Sequence, residues 1–187
     1  MIKIQTPLTD EVISNLKSGD MVQLSGVIYT ARDAAHARLI NLIEAGKELP
    51  FDIKGQVIYY AGPSPAKPGK VIGSLGPTTA GRMDAYVPTL LSLGLKGMIG
   101  KGSRSQAVID SIKENKAIYF AATGGAAALL AKCVTSAEII AYEDLGCEAI
   151  RKLTVIDMPL IVINDCLGND YYKSHCNKTD KSPINLV

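Results

Sequence analysis

Short β-branched runs alternate with longer segments of helical periodicity along most of this 187-residue chain. Residues 21–29, 56–61 and 117–123 are apolar and rich in Val, Ile and Tyr, as β-strands are. Residues 31–46 and 104–115 carry apolar side chains at the spacing of an amphipathic helix. This alternation predicts an α/β fold with a largely parallel or mixed sheet.

Weaker patterns complete the predicted element order. We expect Thr9 to cap a short helix over residues 9–16, because Asp10 and Glu11 occupy its first turn. The remaining predicted elements are a loop at 62–70, a short strand at 71–75, a helix at about 80–94, a helix at 124–133 and two or three strands within 134–165. We expect one domain over residues 1–172 and a polar C-terminal tail over residues 173–187.

Composition restricts the class of protein. Hydrophobic residues make up 47% and charged residues 20%, which is typical of a folded chain. The mixed, acidic start predicts no secretory signal, and the most apolar stretch, residues 85–100, is interrupted by Pro, Gly and Lys, which predicts no membrane span. The four cysteines are Cys133, Cys147, Cys166 and Cys176, and no two of them form a CxxC pair. We therefore expect reduced thiols in a cytoplasmic protein and no metal ligand set.

Positive charge is concentrated between Ile53 and Ile109. This stretch contains seven Lys and Arg residues and one acid, Asp84, for a net charge of +6, whereas the rest of the chain carries −4. Such asymmetry predicts a concave site for an anion, with a solvated basic face as the alternative. A nucleic-acid partner is disfavoured because the overall charge is +2 and Tyr86 is the only aromatic residue between Ala61 and Ile109.

Arginine occurs at three predicted helix starts, where the helix dipole favours acids instead. The segments are Thr30–Asp33, Thr79–Arg82 and Ser103–Gln106. The first and third have the shape of a capping box, so we expect Thr30 and Ser103 to cap helices. An arginine in the first turn is favourable where an anion binds between backbone N–H groups and a guanidinium. The three starts therefore predict a carboxylate or phosphate site around Arg32, Arg82 and Arg104.

The segment GPTTAGRMD at residues 76–84 resembles the β subunit, or C-terminal region, of the iron–sulfur class I fumarate hydratases and L-tartrate dehydratases. The resemblance extends over about residues 1–172 and does not include the tail at 173–187. Its other matching segments are YTARDAAH (29–36), YYAGPSPAKPGKVIGSLGPTTAGRMD (59–84), MIGKGSRS (98–105) and ATGGAAALLAK (122–132).

The resemblance implies a three-layer β/β/α swivelling domain with a mixed sheet. It further implies a hydro-lyase that reversibly hydrates fumarate to malate, or a subunit that acts on tartrate. In this family a 4Fe–4S cluster acts as Lewis acid, and its cysteine ligands belong to the other, cluster-bearing α subunit or to an N-terminal region. We therefore expect no metal ligand on this chain, a small dicarboxylate substrate, a cytoplasmic location, and a hetero-oligomer such as α2β2 without a nucleic-acid or membrane partner.

The resemblance also assigns roles to four residues. Thr78 matches the proposed catalytic base, Arg32 and Arg82 match arginines that bind substrate carboxylates, and Lys101 matches a lysine that reaches the substrate. Arginine suits a carboxylate because its fork binds both oxygens. A threonine hydroxyl is a poor base unless nearby cations favour the alkoxide or a partner carboxylate accepts its proton. The alternative is that Thr78 only caps or stiffens the turn.

Several neighbours are predicted to support these groups. Gly100 and Gly102 flank Lys101 and leave room for a ligand beside the backbone, and Thr79 is expected to cap the helix that follows it. We expect Asp33 to close the cap at Thr30 and His36 to hydrogen-bond locally, with an acid–base dyad of the two as the alternative. Gly124–Gly125 is interpreted as tight packing, with an anion cradle as the alternative.

Rival functions remain open from the sequence. Dehydration of tartrate is the same chemistry on a substrate with one more hydroxyl group. A non-catalytic anion-binding or assembly subunit is the alternative from another class. A phosphate-binding enzyme using GKGSRS is disfavoured, because this segment lacks the GxxxxGK[ST] spacing of a phosphate-binding loop.

Overall fold

The computed structural model describes residues 1–122 and 127–176. Within these residues, seven β-strands form one mixed sheet. The strands are β1 Ile2–Gln5, β2 Met21–Thr30, β3 Val57–Tyr59, β4 Gly97–Gly100, β5 Ile118–Ala121, β6 Val134–Ala141 and β7 Ile150–Asn164. The helices are α1 Asp10–Ser14, α2 Asp33–Glu44, α3 Val87–Ser92, α4 Gln106–Glu114, α5 Ala127–Lys132 and α6 Tyr171–Cys176, with 3-10 helices at Ala80–Met83 and Glu143–Glu148.

The sheet folds back on itself through its two long strands. Strands β1 to β5 are parallel neighbours in chain order, and β7 pairs antiparallel with β5, β6 and β2. The register between β2 and β7 shifts between Leu24 and Gly26, as at a β-bulge. Gly26 has a φ of 109°, and a Cβ there would collide with the Thr6 side chain. A larger residue could not occupy this bend.

Two separate cores follow from this folded sheet. The first consists mainly of strand residues such as Leu24, Val57 and Leu153 and also includes residues of α1 and α5, whereas the second packs Leu39 of α2 on the sheet beside Ile58. Because side chains alternate along a strand, β3 contributes to both cores and is buried on both faces. The predicted α/β fold with a mixed sheet is confirmed.

Two local predictions are wrong. Residues 71–75 form no strand, because Ser74 is tied to Ser64 by two hydrogen bonds, one through the backbone and one through the Ser64 hydroxyl. The helix expected at 80–94 is divided into a 3-10 helix and α3. Pro88 lies in the first turn of α3, where it cannot donate the hydrogen bond that would continue a preceding helix.

The start of the first helix and the predicted end of the domain can be compared with the structure. Thr9 caps α1 as expected, its hydroxyl accepting from the Val12 N–H at 3.3 Å. Helix α6 runs across the predicted boundary between residues 172 and 173, and residues 177–187 lie outside the described residues. Gly124–Gly125 also lies outside them. In the part of the chain that the structure describes, none of the helices has the length and hydropathy needed to span a bilayer.

Candidate functional site

The four residues with predicted catalytic or substrate-binding roles lie at or beside one edge of the sheet. Arg32 follows the end of β2, and Lys101 follows the end of β4. Because β2, β3 and β4 are parallel, their carboxyl ends share this edge, which is where α/β folds place ligands. Thr78 and Arg82 reach the edge through the long connection between β3 and β4.

The segment from Pro77 to Ala80 lies between the ends of β3 and β4. The Thr78 N–H donates to the Tyr60 carbonyl at 2.6 Å, and the Lys101 N–H donates to the Thr78 carbonyl at 3.2 Å. The Ala80 N–H donates to the Lys101 carbonyl at 2.8 Å. These backbone bonds hold Thr78 and Lys101 side by side. The Thr78 side chain is half-buried, and no described residue hydrogen-bonds to its hydroxyl.

The two glycines beside Lys101 have different physical roles. A Cβ on Gly100 would lie 2.9 Å from the Tyr60 ring and 3.0 Å from the Ala80 methyl group. Gly100 therefore provides room for protein packing rather than for a ligand, which corrects the sequence-based expectation. Gly102 has a φ of 81°, which favours glycine, and its nearest side chain atom would be 4.0 Å from a Cβ.

Both predicted carboxylate-binding arginines lie against acids of this chain. Arg82 Nε is 2.8 Å from Asp33 Oδ1, and Arg32 Nη2 is 3.2 Å from Glu148 Oε1. The Arg82 side chain is 53% exposed, whereas that of Arg32 is 21% exposed. The other Glu148 oxygen accepts from the Ala34 N–H in the first turn of α2 at 3.2 Å. Glu148 therefore places a carboxylate of this chain at this helix start, beside Arg32.

The predicted caps differ from those in the structure. Thr30 is the last residue of β2 and does not cap α2, because its buried hydroxyl bonds the backbone of Ala149 and Arg151 instead. Ser105, not Ser103, caps α4 by accepting from the Val108 N–H. Thr79 occupies the position before the 3-10 helix but makes no side-chain cap hydrogen bond.

Arg104, the third predicted anion-binding arginine, is buried. It precedes the cap of α4 rather than lying in its first turn. Its Nε donates to Asp84 Oδ1 at 2.8 Å, and its side chain is fully inaccessible to solvent. This guanidinium is therefore not available to a ligand at the edge.

His36 is fully buried beneath the edge. Its Nδ1 lies 2.9 Å from the Arg32 carbonyl, and because a carbonyl only accepts, Nδ1 carries the proton. Burial lowers the pKa of His36 to about 4, so the ring is neutral near pH 7. The local hydrogen bond expected for His36 is present, while Asp33 faces Arg82 instead of closing a cap at Thr30.

Two open clefts border the loop that precedes the site, with volumes of about 510 and 440 Å³. Both are lined by Val71 and Ile72, and the larger one also by Cys147 and Arg151. Neither is lined by Thr78 or by any of the three predicted cationic ligands. The cationic edge is thus not part of either cleft.

The donor atoms of the described residues do not fit an iron–sulfur cluster. No group of three or more His, Cys, Asp or Glu side chains in residues 1–122 and 127–176 is placed to hold a metal ion. Cys133 is partly buried, Cys147 is exposed and Cys166 is buried, and all three are free thiols. Burial raises the pKa of the Cys133 and Cys166 thiols, which opposes the thiolate form that a cluster needs.

Sequence reasoning missed three polar residues that organise the edge: Asp84, Glu148 and Tyr60. Asp84 carried a usable signal, since it is the only acid in the basic stretch and so had no local competitor for a cation. Glu148 carried none, because it lies in an acidic segment far from Arg32 in the chain. Tyr60 resembled an ordinary core residue of a strand.

Comparison with known proteins identifies a matching family and several relatives. A sequence model of the family described as the fumarase C-terminus matches residues 1–175. The chain is 48% identical over 159 residues to the anaerobic class I fumarate hydratase of Escherichia coli K12, covering 84% of this chain and 29% of that protein. It is 45% identical over 154 residues to the aerobic class I enzyme of the same strain, covering 81% and 28%.

A third relative has a different length. The chain is 38% identical over 172 residues to a Methanocaldococcus jannaschii protein assigned as the beta subunit of an L(+)-tartrate dehydratase. This match covers 89% of the present chain and 88% of that subunit. The chain therefore spans less than a third of the two E. coli fumarate hydratases but most of the archaeal subunit.

Proposed function

The chain belongs to the fumarase C-terminus family, and we propose that it is the β-type subunit of a hydro-lyase that reversibly hydrates fumarate to malate. The observation that carries this proposal is the convergence of Thr78 and Lys101 at the edge that also presents Arg32. The 48% identity to a class I fumarate hydratase supports fumarate as the substrate.

In this proposal Arg32, Arg82 and Lys101 bind the two substrate carboxylates. Asp33 and Glu148 hold the two guanidinium groups in place before substrate arrives, with ion pairs of 2.8 and 3.2 Å. Three cations and two acids leave one net positive charge, so a dianion is attracted but not fully neutralised by this chain. A complete site therefore needs further positive charge or hydrogen-bond donors from a partner.

Thr78 holds and moves the proton in this scheme. In the direction from malate to fumarate the deprotonated Thr78 oxygen takes the proton from C3 while the hydroxyl group leaves from C2, where the partner's cluster would supply the Lewis acid. In the other direction water adds its oxygen at C2 and Thr78 returns the proton to C3. The backbone bonds to Tyr60 and Lys101 fix the position of Thr78 without using its hydroxyl. The nearby cations favour the deprotonated oxygen, and they stabilise the negative charge that develops on the substrate as the proton leaves.

We assign the cluster implied by the family to the partner. The separated thiols and the lack of a three-donor group in the described residues support this division. Coverage of 88% of a separate beta subunit supports a two-chain enzyme, in which a cluster-bearing α subunit completes a hetero-oligomer such as α2β2. The cytoplasmic location stays a prediction.

Dehydration of L-tartrate is the second candidate function. It is favoured by one observation, the match over 88% of the archaeal subunit assigned to a tartrate dehydratase. The same cations would bind its carboxylates, and Thr78 would act on the same type of C–H bond. The two candidates differ only in the recognition of an additional hydroxyl group.

Anaerobic assay of the chain in complex with its α subunit tests the proposal. We expect reversible turnover of fumarate and malate, with slower or no turnover of L-tartrate. Faster turnover of L-tartrate would replace the first candidate with the second. A complex that contains iron but acts on neither substrate would leave only an anion-binding or assembly role. Full activity after removal of the charges of Arg32, Arg82 and Lys101 would leave only an assembly role.

A further inference from the structure

The buried cation beneath the edge, Arg104, connects parts of the site that are separate in sequence. Asp84 accepts from Arg104 Nε at 2.8 Å through one oxygen and from the Ser105 N–H at 2.7 Å through the other. Asp84 directly follows the 3-10 helix that contains Arg82. The pair therefore joins the segment of Arg82 to the loop that follows Lys101.

The same guanidinium lies between two tyrosine rings. Its carbon atom is 5.4 Å from the centre of the Tyr60 ring and 4.9 Å from that of Tyr119, both suited to cation–π contact. Arg104 Nη1 also donates to the Tyr60 hydroxyl at 3.3 Å. The Tyr60 carbonyl accepts from Thr78, and the Tyr119 hydroxyl donates to the Gly102 carbonyl at 2.9 Å. Through these two tyrosines Arg104 is linked to Thr78 and to Gly102, the residue that follows Lys101.

Stability alone does not account for a buried ion pair. Replacement of such a pair by apolar residues of similar volume is often neutral or stabilising, because removing two charges from water is costly. What an apolar pair could not reproduce is the directed set of contacts to Asp84, Tyr60 and Tyr119. These contacts connect the segment that carries Arg82 to the loop that follows Lys101.

We propose that Arg104 is a positioning residue, which together with Asp84 sets the distance between Arg82 and Lys101 and so the length of dicarboxylate that the site accepts. This proposal rests on the proposed function, because it assumes that Arg82 and Lys101 bind carboxylates. Arg104 itself does not contact the substrate. Loss of the clamp formed by Arg104 and Asp84 should therefore loosen the spacing without removing any substrate-binding group.

A double variant, R104M/D84L, tests the proposal in the complex with the α subunit. It removes both buried charges together, so we expect folding and assembly to be retained. We expect kcat/KM to fall about a hundredfold, because misplacement of binding groups by about 1 Å costs this much. The control variant K3M/D157N removes an exposed pair with an N–O distance of 3.8 Å at the other end of β2, and should behave as the wild type.

Inhibition by dicarboxylates of different length separates a positioning role from a merely structural one. In the wild type we expect succinate to inhibit more strongly than malonate or glutarate. In R104M/D84L we expect the inhibition constants of the three anions to lie within about twofold of one another, because a loosened site no longer discriminates by length. An unchanged preference together with unchanged kcat/KM would overturn the proposal. A wild type that binds none of these anions would instead overturn the proposed function.

R104K provides a second variant if the double variant does not fold. A lysine keeps the charge but cannot bond Asp84 and Tyr60 through a planar fork. We expect the same loss of length preference with a melting temperature near that of the wild type. Wild-type preference and turnover in R104K would overturn the proposal.

Discussion

The exposed and the buried sides of the edge each contain an arginine–aspartate pair of the same length. Arg82 Nε lies 2.8 Å from Asp33, and Arg104 Nε lies 2.8 Å from Asp84. The side chains of the first pair are 53% and 28% exposed, whereas those of the second are 0% and 14% exposed. Of the two, the Arg104 pair forms a directed hydrogen bond.

Burial, rather than distance, separates the functions of these pairs. Water screens the exposed pair, so a substrate carboxylate can take the place of Asp33 beside Arg82 at little cost. Water cannot reach the buried Arg104 guanidinium, so breaking its pair leaves an uncompensated charge. The exposed pair is therefore suited to exchange with a ligand, and the buried pair is suited to fixing geometry.

The largest expected effect contrasts the two arginines directly. Arg104→Met should lower the free energy of unfolding by about 3–5 kcal/mol, because it leaves Asp84 without its buried partner. Arg82→Met should lower it by at most about 1 kcal/mol, as expected for an exposed pair. Urea denaturation of the two variants measures both values. Equal losses would show that burial does not distinguish the pairs.

Thr78 tests whether the edge is catalytic as well as cationic. Thr78→Ala should lower kcat at least about a hundredfold, the lower end for loss of a general base, with little change in KM because the cations remain. Anaerobic fumarase assay of the complex gives both parameters. Near-normal turnover would place the base in the partner and leave only binding to this chain.

Arg82→Ala examines the exposed pair for ligand exchange. We expect it to weaken malate binding by about 2–4 kcal/mol, the range for losing one partner of a desolvated charge pair in a complex. Isothermal titration of the complex with malate measures this change. Unaltered binding would assign Arg82 to the solvated surface and make the two pairs alike in function.

The buried His36 makes the stability of the folded protein sensitive to acid. The unfolded chain takes up a proton near pH 6.5, whereas the pKa of the folded residue is about 4, so stability falls as the pH drops below about 6.5. Between pH 7.5 and 5.0 this residue should cost about 2 kcal/mol. Urea denaturation at both pH values gives the loss of unfolding free energy on acidification. We expect this loss to be about 2 kcal/mol smaller in His36→Gln than in the wild type. An identical pH dependence would mean that His36 titrates normally.

The smallest effect concerns the helix starts beside the two arginines. Ser105→Ala should cost about 1 kcal/mol of stability, because the Ser105 hydroxyl caps α4. Thr79→Ala should cost less than about 0.5 kcal/mol, because Thr79 makes no side-chain cap hydrogen bond. Thermal and urea unfolding compare the two variants, and a larger loss for Thr79 would contradict the cap assignment.

Local patterns predicted most elements correctly where the deciding interactions are local. The strand at 21–29 and the helix capped by Thr9 are examples, since alternation and capping involve neighbours in sequence. The predicted strand at 71–75 fails for the opposite reason. Its backbone partners lie in the loop around Ser64, and no pattern within the five residues reveals that contact.

The same distinction between local and long-range interactions applies to the candidate site. The family, the α/β order and the basic stretch with its single acid can be read from the sequence, because they depend on composition and on motifs such as GPTTAGRMD. The exposure of each arginine, and the pairing of Asp33 with Arg82 and of Glu148 with Arg32, become visible only in the folded chain. Burial and charge pairing depend on residues far apart in the chain, and folding alone brings them together.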